Sequence, residues 1–352
     1  MKTATPSTAR AINDRLALDL LLERGPLSAP QLRSLTGLSR PTVSDLIERL
    51  IGGGLIEVAG ESGEDRRGPN ARLYGLVAGR AHVAGVDLRR DTVHVTVADL
   101  TGRTVGSAAR AVGGDLVDLV ESVLAEAAGQ RSLDAVVVGA PGLVAPRDGE
   151  LVSSNDVPGW RPGLVTSWRE RLGGVPVVLE NEANLAAIAE SRDGVAQDAE
   201  DFVLLWLGDG VGAAVVLGGR LRRGASGGAG EIGFLEVGGT AFCNLVTSPV
   251  ARGLARTEFA ARIAKGAAAF VSLLDPGLVV LGGECGSEGG AELAEEVAAR
   301  LGDLAPAPHR GARQHGHGQP RAPGRRADRT RPGPRPRLRR LGHPVTATVT
   351  RL

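Results

Sequence analysis

The chain has 352 residues, 42% hydrophobic and 23% charged, enough for two or three soluble globular domains and without the apolar run of about 18 residues that a membrane span needs. Asp14, Arg15 and Asp19 interrupt the apolar positions near the N-terminus, which excludes a secretory pattern and makes the cytoplasm the expected location. A formal net charge of +1 hides a division: residues 306–352 hold twelve Arg against the single Asp328, residues 1–80 come to +2 and residues 81–305 to −12, so any nucleic-acid contact is expected from the N-terminal segment.

Ile12, Leu16, Leu20 and Leu21 recur at helical spacing, and the run stops at Gly25-Pro26. Ser28 then caps a short helix containing Leu32 and Leu35, and Gly37 supplies a turn. Ser39 opens a third helix whose Val43, Leu46, Ile47 and Leu50 form an i, i+3, i+4, i+7 stripe. Helix, helix, glycine turn, helix is the helix-turn-helix layout. Leu55–Val58 and Arg72–Leu76 read as strands on either side of the polar loop from Gly60 to Ala71, a hairpin in the position of a wing.

Burying the stripe of the third helix turns Arg40, Thr42, Ser44, Asp45 and Arg49 outward near the end that enters a major groove. Ser39, Arg40, Thr42 and Ser44 are therefore candidate DNA contacts, the last three at base edges. Arg66, Arg67 and Arg72 on the wing are candidates for phosphates or the minor groove. The competing reading is a three-helix protein-interaction module, which Asp45 and Glu48 on the exposed face favour. The stretch from Leu27 to Val58 resembles the winged helices of bacterial repressors, with Pro41 near the helix start typical of them.

After Gly79 the pattern changes to strands at His82–Leu88 and Thr92–Asp99, a turn at Thr101-Gly102-Arg103, a helix over Leu116–Ala128 and a buried strand at Ala135–Gly139. A second unit of similar plan starts at Phe202–Leu207, turns through Gly208-Asp209-Gly210-Val211-Gly212 and continues to Leu217. Four motifs stand in order: Val137-Val138-Gly139-Ala140-Pro141-Gly142, Ser154-Asn155-Asp156-Val157-Pro158-Gly159-Trp160, Glu180-Asn181-Glu182-Ala183-Asn184, and Arg223-Gly224-Ala225-Ser226-Gly227-Gly228-Ala229-Gly230-Glu231-Ile232-Gly233, followed by Leu281-Gly282-Gly283. Together they resemble the actin-like sugar kinase superfamily, and more narrowly the ROK family of repressors, open reading frames and kinases.

That resemblance implies an α/β fold in three parts: a winged helix-turn-helix over residues 1–78, a duplicated actin-like ATPase/sugar kinase-type domain over 81–305 with a shortened second lobe, and a Pro/Arg-rich tail over 306–352. A kinase of this kind has a Gly-Gly-Thr turn after the first strand's Asp, where bare amides meet ATP phosphates. Here Asp87 is followed by Leu88-Arg89-Arg90-Asp91. The catalytic base is the Asp of a Glu-Asn-Asp-Ala-Asn run, and Glu182 stands in its place, one methylene longer. Both departures point away from an enzyme and from any cofactor.

Sugar binding needs only convergent polar side chains in a cleft, and Asn155, Asn181, Glu182 and Glu231 are its candidates, with Asp156 a weaker one. Each also has a plainer role: Asn155 and Asp156 as turn formers, Asn181 as a helix cap, Glu231 as a solvated loop acid. The family's zinc site, a His after Gly-Glu-Ile-Gly and three cysteines, is not expected here, because Phe234 replaces the His and only Cys243 follows nearby. Cys243 and Cys285 both read as small core residues or inert surface thiols. The tail has too little apolar pattern to offset its ordering entropy. It reads either as a basic arm on DNA or, in the favoured reading, as the Arg, Pro, Gly and Ala mix of a shifted frame in a GC-rich gene; His309, His315, His317 and His343 in it are weak ligands.

The expected function is a sugar-responsive repressor, a homodimer or higher homo-oligomer on double-stranded operator DNA, whose kinase-like domain takes a sugar or sugar phosphate and does not touch a membrane. The alternatives are a sugar kinase with a fused DNA-binding domain and a regulator blind to ligands.

Overall fold

The computed structural model describes residues 6–61, 71–152, 156–304 and 348–351. Helix α1 (Pro6–Arg24) stops where Gly25 takes a φ of 75°, a left-handed conformation that glycine adopts without a Cβ clash. Its inward residues are Ala17 and Leu21, whereas Ile12 and Leu16 are 59% and 40% exposed. The apolar spacing thus marks the helix without marking its buried face. Strand β1 (Leu27–Ser28) leads into α2 (Ala29–Thr36), whose start is tied by the Ser28 N–H and hydroxyl, both donating to Gln31 Oε1 at 2.8 Å. Helix α3 (Arg40–Gly52) follows, and its Val43, Leu46, Ile47 and Leu50 are all buried, packed with Leu21, Leu27, Leu32 and Ile56. Strands β2 (Ile56–Glu61) and β3 (Arg72–Leu76) form the wing, in a sheet of order β1-β3-β2. The two-residue β1, too short for a sequence pattern, anchors the wing beside α2.

A single 3-10 turn at Ala78–Arg80 leads into the first lobe. It comprises β4 (His82–Leu88), β5 (Thr92–Asp99), β6 (Thr104–Ala111), α4 (Leu116–Ala128), β7 (Ala135–Ala140), α5 (Leu164–Arg171) and β8 (Val177–Asn181). The sheet runs β6-β5-β4-β7-β8, with the first three strands antiparallel and β4, β7 and β8 parallel. Ala84, Val86 and Leu88 of β4 and Val93, Val95 and Val97 of β5 point to one face, where Val120, Val123, Leu124 and Ala127 of α4 cover them. The apolar residues at every second position of these strands are this one-sided burial. Strand β6 was not visible in the sequence because Gly106, Ser107, Ala108 and Ala109 lack β-branched side chains. Close approach of α4 accounts for the small residues: a Cβ at Gly106 would lie 2.0 Å from the Ala127 carbonyl oxygen.

Helix α6 (Glu182–Arg192) crosses to the second lobe, which contains β9 (Phe202–Leu207), β10 (Val211–Leu217), β11 (Arg220–Arg222), the short hairpin β12 (Glu236–Val237) and β13 (Thr240–Ala241), α7 (Cys243–Val246), α8 (Ser248–Arg252), α9 (Arg256–Leu274), β14 (Leu278–Gly282), α10 (Gly283–Leu304) and β15 (Thr348–Arg351). Its sheet order is β11-β10-β9-β14-β15. Strands β9 and β14 are apolar almost throughout because both faces are covered: α9 and α10 lie on one side, and Ala183, Ala186 and Ala187 of α6 on the other. The lobes share a three-strand antiparallel unit followed by a parallel strand. The fifth strands differ, since β8 is parallel to β7 while β15 is antiparallel to β14. Residues 348–351 belong to the stretch expected to lack packed structure, and for those four the expectation fails: the β14 edge offers backbone pairing that needs no apolar pattern.

Gly106→Ala should lower stability by about 1–3 kcal/mol, the usual cost of forcing an extra methyl into a filled space. Gly113→Ala, where a Cβ meets nothing within 4 Å, should change it little. Urea unfolding of the two variants checks the pair, and equal stability would contradict the close β6–α4 packing.

Candidate functional site

Two regions gather the expected residues. In the first, the Ser39 hydroxyl accepts from the Thr42 N–H at 3.4 Å and shares a 2.8 Å hydrogen bond with the Thr42 hydroxyl. Both side chains therefore hold the start of α3, as an N-cap does. Arg40 and Ser44 are exposed beside them, and Arg72 is exposed at the first residue of β3. Arg49, also outward, is engaged by Asp14 of α1 at 2.5 Å, a contact that fixes α3 against α1 at the far end from Arg40. Arg66 and Arg67 lie outside the described residues.

The second region is the cleft between the lobes. Asn181 ends β8 and caps α6: its Oδ1 accepts from the N–H groups of Ala183 and Asn184, and its Nδ2 donates to Gly142 O at 3.0 Å and to Glu182 Oε2 at 3.2 Å. Its amide is thus a structural joint, so the capping role weighed for it is the observed one. Glu182 starts α6 and points toward Asp87 and Glu231. Burial, then those two carboxylates, push its carboxyl up to about 8, against its own backbone N–H and Arg90. Burial also pushes up the Glu231 carboxyl, which makes this residue a half-buried acid rather than a solvated one. Asp156 has a φ of 56° and meets Arg90 at 3.3 Å, while Asn155 lies outside the described residues. Asn181, Asn184, Gly230 and Glu231 border a cavity of about 10 Å³, room for roughly one water.

The turn after β4 does not form a nucleotide cradle. The Arg89 N–H donates to the Thr92 carbonyl at 2.9 Å, and the Arg89 guanidinium folds onto Asp87 at 2.7 Å, so both groups that would meet a phosphate are engaged within the protein. Glu182, whose carboxyl burial pushes up to about 8, carries one methylene more than the aspartate that the resemblance places there. The donor set at Phe234 does not fit zinc. That side chain is 85% exposed and has no lone pair, and Cys243 donates to Asn244 Oδ1 at 3.7 Å. Among the described residues no group of three or more His, Cys, Asp or Glu side chains is placed to hold a metal, and no helix is long and apolar enough to cross a membrane.

Sequence reasoning gave no role to Glu180, Asn184 or Arg223. Glu180 is buried at the end of β8, where its Oε2 accepts from Arg223 Nε at 2.7 Å and its Oε1 from Asn184 Nδ2 at 2.9 Å. An acid ending the apolar run Val177-Val178-Leu179 was the available signal, since a buried carboxylate requires a partner.

Residues 83–244 match the ROK family and residues 12–68 the MarR family. The xylose repressor of Caldicellulosiruptor bescii is 27% identical over 238 residues, 65% of this chain and 59% of that protein. The DNA-binding transcriptional dual regulator NagC of Escherichia coli K12 is 28% identical over 241 residues, 65% of this chain and 58% of that protein. This chain therefore spans under two thirds of the curated relatives it matches. A crystal structure of a ROK family transcriptional regulator, a homologue of the E. coli MLC protein, superposes with a TM-score of 0.65 at 18% identity, covering 84% of this chain and 86% of that one, and supports the fold.

A carboxyl whose native pKa exceeds its unfolded value keeps a proton that the unfolded chain has released. Glu182 should therefore subtract stability progressively as pH rises from about 4.5 to about 8, and no further above that. The stability of Glu182→Gln relative to the unchanged protein should rise across that window, measured by urea unfolding at pH 5, 7 and 8.5. A pH-independent difference would remove Glu182 from its charged, buried setting.

Proposed function

We propose that this chain, a ROK-family domain behind a MarR-type winged helix, is a DNA-binding transcriptional repressor whose kinase-like cleft takes a sugar without phosphorylating it. The observation that carries this reading is the β4–β5 turn. With the Arg89 amide bonded to Thr92 and its guanidinium on Asp87, the cleft lacks the phosphate cradle but keeps its polar wall. The relatives named as a xylose repressor and as NagC support regulation over catalysis.

In this reading α3 enters a major groove by its N-terminal end. Arg40 and Ser44 meet base edges, the Ser39–Thr42 pair presents hydroxyls beside the backbone, and Arg72 with the wing arginines meets phosphates. Two copies would bind a pseudo-palindromic operator. A connection to the sugar domain exists in hydrogen bonds: Arg80 Nε donates to Gly53 O past the end of α3 at 3.4 Å, and the Leu100 N–H of the first lobe donates to Ala78 O at 3.0 Å. A ligand changes operator affinity only to the extent that it prefers one arrangement of these parts.

The cleft favours a neutral sugar over a sugar phosphate. Glu182 faces Asp87 and Glu231, the nearby cations Arg89 and Arg90 being themselves paired, with Asp87 and Asp156 respectively. Protonated Glu182 donates a hydrogen bond to a hydroxyl, whereas an added phosphate meets carboxylates.

Calorimetry with xylose, glucose and N-acetylglucosamine should give binding to at least one, with its phosphate weaker by tenfold or more, about 1.4 kcal/mol. A phosphate that binds more tightly than its parent sugar would reverse the selectivity. On DNA, Arg40→Ala should lose about 1–3 kcal/mol of discrimination at one base pair. Arg72→Ala should weaken all sequences alike and reduce the salt slope by about one. Equal losses on every sequence for both variants would take Arg40 out of base reading, and steady ATP-dependent phosphorylation of any of these sugars would make the chain a kinase.

A further inference from the structure

Helix α1 carries an apolar stripe that is left uncovered among the described residues. At about 100° per residue, Ala9, Ile12, Leu16 and Leu20 fall within one band about 80° wide, and the buried Ala17 and Leu21 lie more than a quarter turn from its centre. Ile12 and Leu16 are 59% and 40% exposed, Ala9 is exposed and Leu20 is half-buried. Steps of three and four residues over three turns make a seam for another helix. Along one flank of it stand Arg15 and Asp19, 79% and 53% exposed and 3.7 Å apart.

The seam is complementary to itself. With a second α1 laid antiparallel so that Leu16 faces Leu16 across a two-fold axis, Ile12 and Leu20 are equally far from the axis, and each Ile12 meets the other helix's Leu20. Glu23, which ends the stripe, then stands opposite the small Ala9. An axis normal to the pair keeps the same flank of both helices together, so each Arg15 lies between its own Asp19 and Asp19 of the second copy. Opposite charges thus alternate along that flank. Other occupants fit less well: the Pro/Arg-rich sequence after residue 305 has no apolar period to fill the seam, and DNA phosphates would meet Asp19 and Glu23. We propose that α1 is a homotypic contact, through which two copies of this chain pair their first helices antiparallel about Leu16. The operator reading above gives this contact its purpose, two winged helices held as one unit, but the contact is tested without DNA.

In the full-length chain, Leu16→Cys places two thiols at the two-fold axis. Ala11→Cys, exposed on the same helix but outside the stripe, is the control. Thermal unfolding establishes that each variant is folded. Under mild oxidation, Leu16→Cys should form a covalent dimer on non-reducing gels about tenfold faster than Ala11→Cys, because a disulfide needs closely facing Cβ atoms. The unsubstituted chain, with Cys243 and Cys285 as free thiols, sets the background. A disulfide accumulates even from a sparsely populated pair, so weak association is enough. Adding Arg15→Asp to Leu16→Cys should slow the cross-link severalfold by setting like charges together. Arg15→Asp with Asp19→Arg exchanges the charges, keeps their alternation and should restore the rate. No cross-link at position 16, equal rates at 11 and 16, or a charge exchange that fails to restore the rate overturns the proposal. Operator binding by a chain that does not cross-link would leave the repressor reading standing without this contact, whereas a cross-link in a chain that binds no duplex would keep the contact and defeat that reading.

Discussion

The chain passes from one lobe into the core of the other within a single residue, and the rest of the sugar-kinase-like domain is arranged around that passage. Asn181 ends β8, and its side chain at once caps α6 and reaches back to the Gly142 carbonyl. One turn later Ala183, Ala186 and Ala187 are buried beneath the second sheet. Small residues are required there because the helix lies close to β9 and β10; a larger side chain would push the lobes apart. The first lobe has the same need, since a Cβ on Gly139 would come within 2.8 Å of Leu185. The alanine-rich composition around residue 185 is thus a constraint of packing against the second sheet.

In the proposed reading, binding and catalysis separate physically in the cleft. Phosphoryl transfer needs bare amides at one turn and a carboxylate positioned within a fraction of an ångström, and in the proposed reading each is lost by a local change: Arg89 in the turn and one methylene at Glu182. Recognition of neutral hydroxyls tolerates both, because it depends on several polar groups lining a cleft. The acidic balance of residues 81–305 has its local counterpart here, where burial and then the charges of Asp87 and Glu231 raise the cost of ionising Glu182 and Arg90 offsets part of it.

Helix α3 was legible residue by residue. Ser39, Val43, Leu46, Ile47 and Leu50 alone specify α3, its start and its buried face, because a cap and a helical stripe are local patterns. The strands β4, β5, β9 and β10 were legible for a similar reason, as alternation or continuous burial. Strands β1 and β6 were not: two residues hold no period, and Gly106 of β6 answers to the close approach of Ala127 on α4. In the first helix the apolar positions exceed what the fold buries, so Ile12 and Leu16 remain exposed.

By itself the sequence determined the domain order, the helix-turn-helix with its outward Arg40, and the motifs that line a sugar-kinase-like cleft, since these rest on periodicity, caps and residue type at short range. Only the tertiary structure decided that Asn181 is a joint, that Arg89 is folded onto Asp87, and that Arg223, 43 positions from Glu180, pairs with its buried carboxylate. The reason is that the energy of a buried charge depends on what lies within a few ångströms of it, and the fold, through pairings remote in sequence, sets those neighbours.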